Sequence, residues 1–424
     1  FANVYIGNQV AACSSATGDA EYNIAMGSEA ASCLDTGVSN VILGHHTGKS
    51  ITSGCQNILI GKCSGLCLTT GQLNIAIGFN SGKCLGSTCN NLLLGNETGT
   101  YLTGKCNVAI GMGSLVGNIT ATHTGCCNIA IGNYAGCCAV SSESSIIIGN
   151  YAGRKSSGEG NIFMGHRAGY GTTTANCDII IGFDAACANC YNTYNCTNGC
   201  NVYIGRSAAL KVAYGAEGNV FVGAYAGACA TVKCGVAIGC GALQSKGCLY
   251  QDHLVAIGSG ALNQAQTLTR SVAIGDGAGR SSTSGSHNFF GGYNAGRNNT
   301  TGQQNTFIGG NRAGCYNSSG SYNVYLGSYA GRCGETNSCN VFVGNCAGYY
   351  GTGGCNTFVG SGVAKSSSLG GGSFNALFGN HAGCCMTSGS GNIFLGAKAA
   401  HTQTGGSCNI AIGKEVVLAS TSGS

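Results

Sequence analysis

Proline and tryptophan are missing from this chain of 424 residues, and charged side chains make up only 8% of it. Without proline, the turns must be made by other residues, and 76 glycines are there to make them. The 19 lysines and arginines form no run, so the net charge of +5 leaves no footprint for nucleic acid or an anionic membrane surface. No apolar stretch approaches the ~20 residues of a bilayer-spanning helix, so no membrane insertion is expected. The 14 acidic residues do not recur at one position, which excludes calcium binding of the β-roll kind. Nor do they form the paired carboxylates that glycoside hydrolysis uses. No Ser/His/Asp constellation stands out either, so no enzyme is expected. No cofactor is expected: Gly275-Asp276-Gly277-Ala278-Gly279 and Gly111-Met112-Gly113 have the look of dinucleotide loops but no helix to follow them.

What is present is one motif, repeated. Asn128-Ile129-Ala130-Ile131-Gly132-Asn133-Tyr134-Ala135-Gly136 has near copies from end to end, and aligning them on the glycine after the aliphatic run gives 24 repeats, from Gly7 to Gly413. Their mean spacing is 17.7 residues, the mark of a stacked repeat architecture. Hydrophobic residues reach 43% and stand in register, which excludes a disordered chain. No composition break divides residues 1–424, so a single continuous solenoid domain is expected. The first motif begins at Asn3, so flanking sequence or a partner is expected to cover that end; a start at Phe1 suggests a processed or excised segment.

Within a repeat, Asn is followed by three apolar residues, as in Asn107-Val108-Ala109-Ile110 and Asn340-Val341-Phe342-Val343. Three or four residues make a strand, and Val or Ile at the outer two positions favours one. Alternation places those two side chains on one face. The expectation is that Val108, Ile110, Ile129, Ile131, Ile146, Ile148, Val341 and Val343 line the interior. Ala109, Ala130, Phe342 and Phe394 would then point outward, partly against neighbouring chains. Apolar residues on both faces predict a homo-oligomer, because one solenoid has a single inside. The Asn precedes the strand in 19 of the 24 repeats, with Ser145, Asp178, Gly235, Leu254 and Ser271 as the exceptions, and predicts an amide ladder along the axis. After the glycine, turns such as Tyr151-Ala152-Gly153 and Tyr329-Ala330-Gly331 lead into Ser/Thr/Asn-rich connections of variable length.

Twenty-nine cysteines suggest an oxidising compartment, with buried free thiols as the alternative. Cysteines at one position of consecutive coils would lie ~4.8 Å apart, a separation that a disulfide tolerates. Six residues after the key glycine the candidates are Cys13 with Cys33, Cys67 with Cys84, and Cys315 with Cys333. Just before the Asn they are Cys106 with Cys127, Cys177 with Cys200, and Cys339 with Cys355. Cys187, Cys190, Cys196 and Cys200 have the look of a structural zinc set, but in so cysteine-rich a chain disulfides are favoured and no metal site is assigned. His45-His46 and His166 are read as turn histidines, not ligands. Sequons at Asn96, Asn118, Asn195, Asn298, Asn299 and Asn317 are glycosylation candidates in a secreted chain.

These Asn-x-Val-Ala-Ile-Gly repeats resemble the head repeats of trimeric autotransporter adhesins, and Asn305-Thr306-Phe307-Ile308-Gly309 is similar to repeats of phage and viral fibre proteins. The resemblance covers essentially the whole chain. It implies a left-handed parallel β-roll, three chains side by side, and ligands on cell surfaces or extracellular matrix. It carries over no binding residue. The expectation is an all-β parallel β-solenoid of about 24 coils with itself as partner, in a trimer or an open filament. Its function would be structural: the extracellular shaft of a fibre or appendage on a cell or virion surface, stapled by disulfides. The alternative is an adhesin or receptor-binding fibre whose edge loops recognise surface glycans or matrix.

Overall fold

The computed structural model describes residues 2–13, 19–117, 122–172, 176–187, 199–212, 215–245, 250–351, 353–366 and 372–417. The chain is an all-β parallel β-solenoid, with no helix among the described residues. It divides into two compact units, Phe1–Gly218 and Asn219–Ser424.

The first unit carries strands Val4–Ile6, Ile24–Met26, Val41–Leu43, Ile58–Ile60, Ile75–Ile77, Leu92–Leu94, Val108–Ile110, Ile129–Ile131, Ile146–Ile148, Ile162–Met164, Ile179–Ile181 and Val202–Ile204. Each pairs in parallel with the next, residue for residue: Val108 with Ile129, Ala109 with Ala130, Ile110 with Ile131. The second unit repeats the scheme with Val220–Val222, Val236–Ile238, Val255–Ile257, Val272–Ile274, Phe289–Tyr293, Thr306–Asn311, Val324–Leu326, Val341–Val343, Thr357–Val359, Ala376–Phe378, Ile393–Leu395 and Ile410–Ile412. It adds a small parallel pair, Thr231–Lys233 with Tyr250–Asp252. Its register shifts between Gly291 and Tyr293, where the facing strand, Thr306–Asn311, carries one extra residue.

The strands face the opposite way from the expectation. The middle residue is the interior one: Ala109, Ala130, Ile147 and Phe163 are fully buried in the first unit, and Phe342 and Phe394 in the second. Val108, Ile110, Ile146, Ile148 and Val343 are half-buried on the outside, while Ile129, Ile131 and Val341 expose 38%, 36% and 36% of their surface. The reason is volume. A coil this narrow admits one strand side chain, and that position varies from Ala to Tyr to match what the far wall supplies: Ala76 shares its coil with Leu85, whereas Phe290 shares its coil with the slimmer Asn299. The constant Val and Ile flanks reflect β-propensity on a half-covered surface.

The coil closes at corners that few side chains allow. Gly132 has φ +133°, and a Cβ there would lie 2.5 Å from the Gly149 carbonyl oxygen of the next coil, so the position is confined to glycine. Two residues on, non-glycine residues accept the left-handed conformation, as Tyr134 (φ 53°) and Tyr151 (φ 56°) do. So does the residue before the Asn, such as Cys106 and Cys127, both at φ 59°. The amide ladder forms as expected. The Asn40 backbone N–H donates to Asn23 Oδ1 at 2.9 Å, while its Nδ2 donates to that oxygen at 3.0 Å and to the Gly54 carbonyl at 2.8 Å. Where Ser145 or Asp178 replaces Asn, the side-chain oxygen still accepts from the next rung, Asn161 N–H at 3.2 Å and Asn201 N–H at 2.8 Å. Leu254 offers no such acceptor and is buried in its place.

In the second unit the interior positions build an aromatic column. Phe307 and Tyr325 stack at 4.7 Å, Tyr325 and Phe342 at 4.9 Å, and Phe342 and Phe358 at 4.7 Å, all within 8° of parallel. One strand spacing is close to the thickness of two rings in contact, so identical coils stack their aromatics without adjustment.

Candidate functional site

Two features of the coil surface bear on function: the outward face of the sheet and the cysteine columns. On the outward face, the first and third residues of each strand stand side by side. In the first unit Ile24, Met26, Ile77, Ile129, Ile131 and Ile204 are exposed, and in the second Ile238, Ile274, Ile308, Ile393 and Leu395. Each unit thus carries an apolar stripe two residues wide along its axis. Parallel sheets normally have both faces covered, whereas here the outward apolar face is left partly open to solvent.

The twelve candidate cysteines carry free thiols in the structure. Register brings five of the six proposed pairs to neighbouring positions. Cys106, Cys127, Cys177, Cys200, Cys339 and Cys355 are exposed at the left-handed position before the Asn, or before Asp178 in the case of Cys177, and strand pairing aligns each with its proposed partner. Cys13 N–H donates to Ser32 O, and Cys67 N–H to Lys83 O, which sets Cys13 beside Cys33 and Cys67 beside Cys84. Burial, with the adjacent Cys67 thiol second, raises the Cys84 pKa, and the same causes act on Cys127 beside Cys106. Cys315 and Cys333 are different. The extra residue in its coil sets Tyr316, whose N–H donates to Arg332 O, beside Cys333. Cys315 turns inward and is buried, so this pair is out of register.

Cysteines adjacent in sequence also touch. Cys137 Sγ lies 3.1 Å from Cys138 Sγ, and Cys384 Sγ lies 3.7 Å from Cys385 Sγ. Burial, assisted by the hydrogen bond to its neighbour, pushes the Cys137 thiol up to about 12 and the Cys384 thiol up to about 11. The Cys-Cys dipeptides were visible signals. Of the zinc-like set, Cys190 and Cys196 lie outside the described residues, while Cys187 is buried and Cys200 exposed. His46 lies 3.2 Å from Glu29 and stacks on His45, and His166 stacks on Phe183.

Among the sequons, Asn118 and Asn195 lie outside the described residues. Asn96 is exposed and Asn298 half-buried. Asn299 and Asn317 are fully buried, which corrects their candidacy. Asn317 Nδ2 donates to Asn299 Oδ1 and to the Gly320 carbonyl, both at 2.9 Å, so a glycan on either amide has no room in the folded coil. Sequence spacing alone could not separate these buried amides from the surface ones.

Arginine and tyrosine interlock along the corners. The Arg332 guanidinium lies over the rings of Tyr316, Tyr329 and Tyr349 at 5.4, 5.7 and 5.2 Å, and Arg154 lies 5.7 Å from both Tyr151 and Tyr170. Such contacts, worth ~0.5–1 kcal/mol each at exposed sites, tie one coil to the next. No helix among the described residues is long and apolar enough to cross a membrane. No family profile, curated protein or solved structure matches the chain.

Proposed function

We propose that this chain is a structural protein, the shaft of an extracellular fibre, filament or surface appendage, with further copies of itself as its partner. The apolar outward stripe carries this reading. An uncovered row of Ile, Val and Leu repeating once per coil is matched in period by one surface above all, another solenoid of the same strand spacing. Side-by-side association of copies covers it, in a closed trimer or an open filament. The amide ladder and the interior aromatic column favour the same role, since both bond coil to coil along the axis.

In an oxidising environment the in-register cysteines would staple coil to coil along the axis, and this supports reading the fibre as one on a cell or virion surface. Sedimentation of the purified chain tests the reading. A stable oligomer at micromolar concentration that falls apart when Lys replaces outward Ile129 and Ile131 supports it, whereas a soluble monomer of the unaltered chain overturns it.

A further inference from the structure

We propose that a trough on one corner of the second unit binds an anionic saccharide. Its floor is a column of three glycines from consecutive coils, Gly241, Gly260 and Gly277, two residues after their key glycines. These glycines are not demanded by the backbone. All three have φ close to +61°, a conformation that Tyr134, Tyr151, Tyr225 and Tyr329 adopt at the same position of other coils. Elsewhere a lone glycine in this column is covered from the next coil: the Tyr134 ring lies 2.6 Å from where a Gly113 Cβ would be, and the His381 ring 3.0 Å from that of Gly362. Within the trough, Asn294 covers Gly277 and Asn263 Nδ2 lies 3.2 Å from where a Gly241 Cβ would be, so the opening is centred on Gly260, around whose Cβ there is nothing within 4 Å. The result is an open trough of about 400 Å³.

Its banks decide the ligand. Three strand spacings of ~4.8 Å give a length suited to a short linear oligomer. On one bank Arg280 and Arg297 follow one another on adjacent coils, and among the described residues neither forms an ion pair. Two unpaired guanidiniums one spacing apart suit carboxylate or sulfate groups repeating along a chain. Gln244 and Asn263, next on that bank, bond to each other, Asn263 Nδ2 donating to Gln244 Oε1 at 3.2 Å and to the Gly241 carbonyl at 3.0 Å, which leaves Asn263 Oδ1 and Gln244 Nε2 for hydroxyl groups. On the other bank Tyr293, 45% exposed, presents a ring against which a sugar's apolar face can pack. Asp276 beside it accepts hydroxyl hydrogens and disfavours a polyanion lacking them. Guanidiniums, amides, one carboxylate and an aromatic ring together match an acidic sugar better than a bare phosphate or a peptide.

Titration calorimetry of the full chain with a heparin hexasaccharide, a galacturonate hexamer and neutral maltohexaose tests the proposal. At least one acidic oligomer should bind, with maltohexaose at least tenfold weaker. Gly260→Tyr, which places in the trough the residue other coils carry there, should weaken acidic binding at least tenfold with unchanged circular dichroism. Arg280→Gln with Arg297→Gln should do the same. Absence of binding by both acidic oligomers overturns the proposal. So does binding that Gly260→Tyr leaves intact, which would assign it to diffuse surface charge, and so does equal binding of maltohexaose.

Discussion

Replacing Phe342 with alanine, and separately its two strand neighbours Val341 and Val343, measures which way the strands face. Phe342 is 1% exposed and stacks between Tyr325 at 4.9 Å and Phe358 at 4.7 Å. Truncating a buried phenylalanine costs ~3–5 kcal/mol, and here the cavity has rings above and below that cannot collapse into it without breaking register with their own coils. The upper part of that range is expected. Val341 and Val343 each lose two methyl groups that are partly solvated in one chain, which at ~0.8 kcal/mol per fully buried carbon comes to about 1 kcal/mol or less. In a solenoid such losses stay local, because each coil contacts only its neighbours. The assay is therefore hydrogen exchange with peptide resolution. Amides of Val324–Leu326, Val341–Val343 and Thr357–Val359 should lose protection in Phe342→Ala, while those of Val4–Ile6 keep theirs. Equal or larger losses in Val341→Ala or Val343→Ala than in Phe342→Ala would refute the interior assignment.

Lysine at Ile129 and Ile131 should reduce the oligomer to monomers in sedimentation with the circular dichroism spectrum kept, whereas lysine at Phe342, an interior position, should unfold its coil. Non-reducing peptide mapping should find Cys106–Cys127, Cys177–Cys200, Cys339–Cys355, Cys13–Cys33 and Cys67–Cys84 bonded, each contributing ~3 kcal/mol in the chain-entropy model, and Cys315–Cys333 unbonded; thiols throughout would refute the staples. His123 is fully buried, with Nε2 3.2 Å from Ser142 Oγ, and burial lowers its pKa from 6.5 to about 4. Below pH 6.5 the unfolded chain takes up a proton that the folded one refuses, so stability falls as pH drops from 6.5 towards 4, by up to about 3 kcal/mol at ~1.4 kcal/mol per pKa unit. His123→Leu, matching Leu102 on the paired position, should flatten this part of the pH profile in thermal unfolding, and an unchanged slope would show that other groups set it. Mass spectrometry of secreted material should find glycan on Asn96 or Asn298 and none on Asn299 or Asn317.

The sequence by itself determined the period, the strand, the glycine that ends it and the asparagine that begins it, because each follows from a local rule. A residue whose Cβ would strike the next coil must be glycine at every repeat, as at Gly132, and an amide that bonds its own copy must recur, as from Asn23 to Asn40. The facing of the strand was not legible. Val108-Ala109-Ile110 is apolar at all three positions, so alternation offers two answers, and the width of the closed coil selects the middle residue. Nor could spacing show which Asn of the connections turn inward: Asn299 and Asn317 do so because they lie opposite Phe290 and Phe307, a packing decision made across the coil. Cys315 illustrates the same limit, since one extra residue in its turn moves it from the surface column to the interior. The trough came from tertiary structure alone. Gly241, Gly260 and Gly277 look like ordinary turn glycines until stacking sets them in one column and shows that no neighbouring side chain covers Gly260.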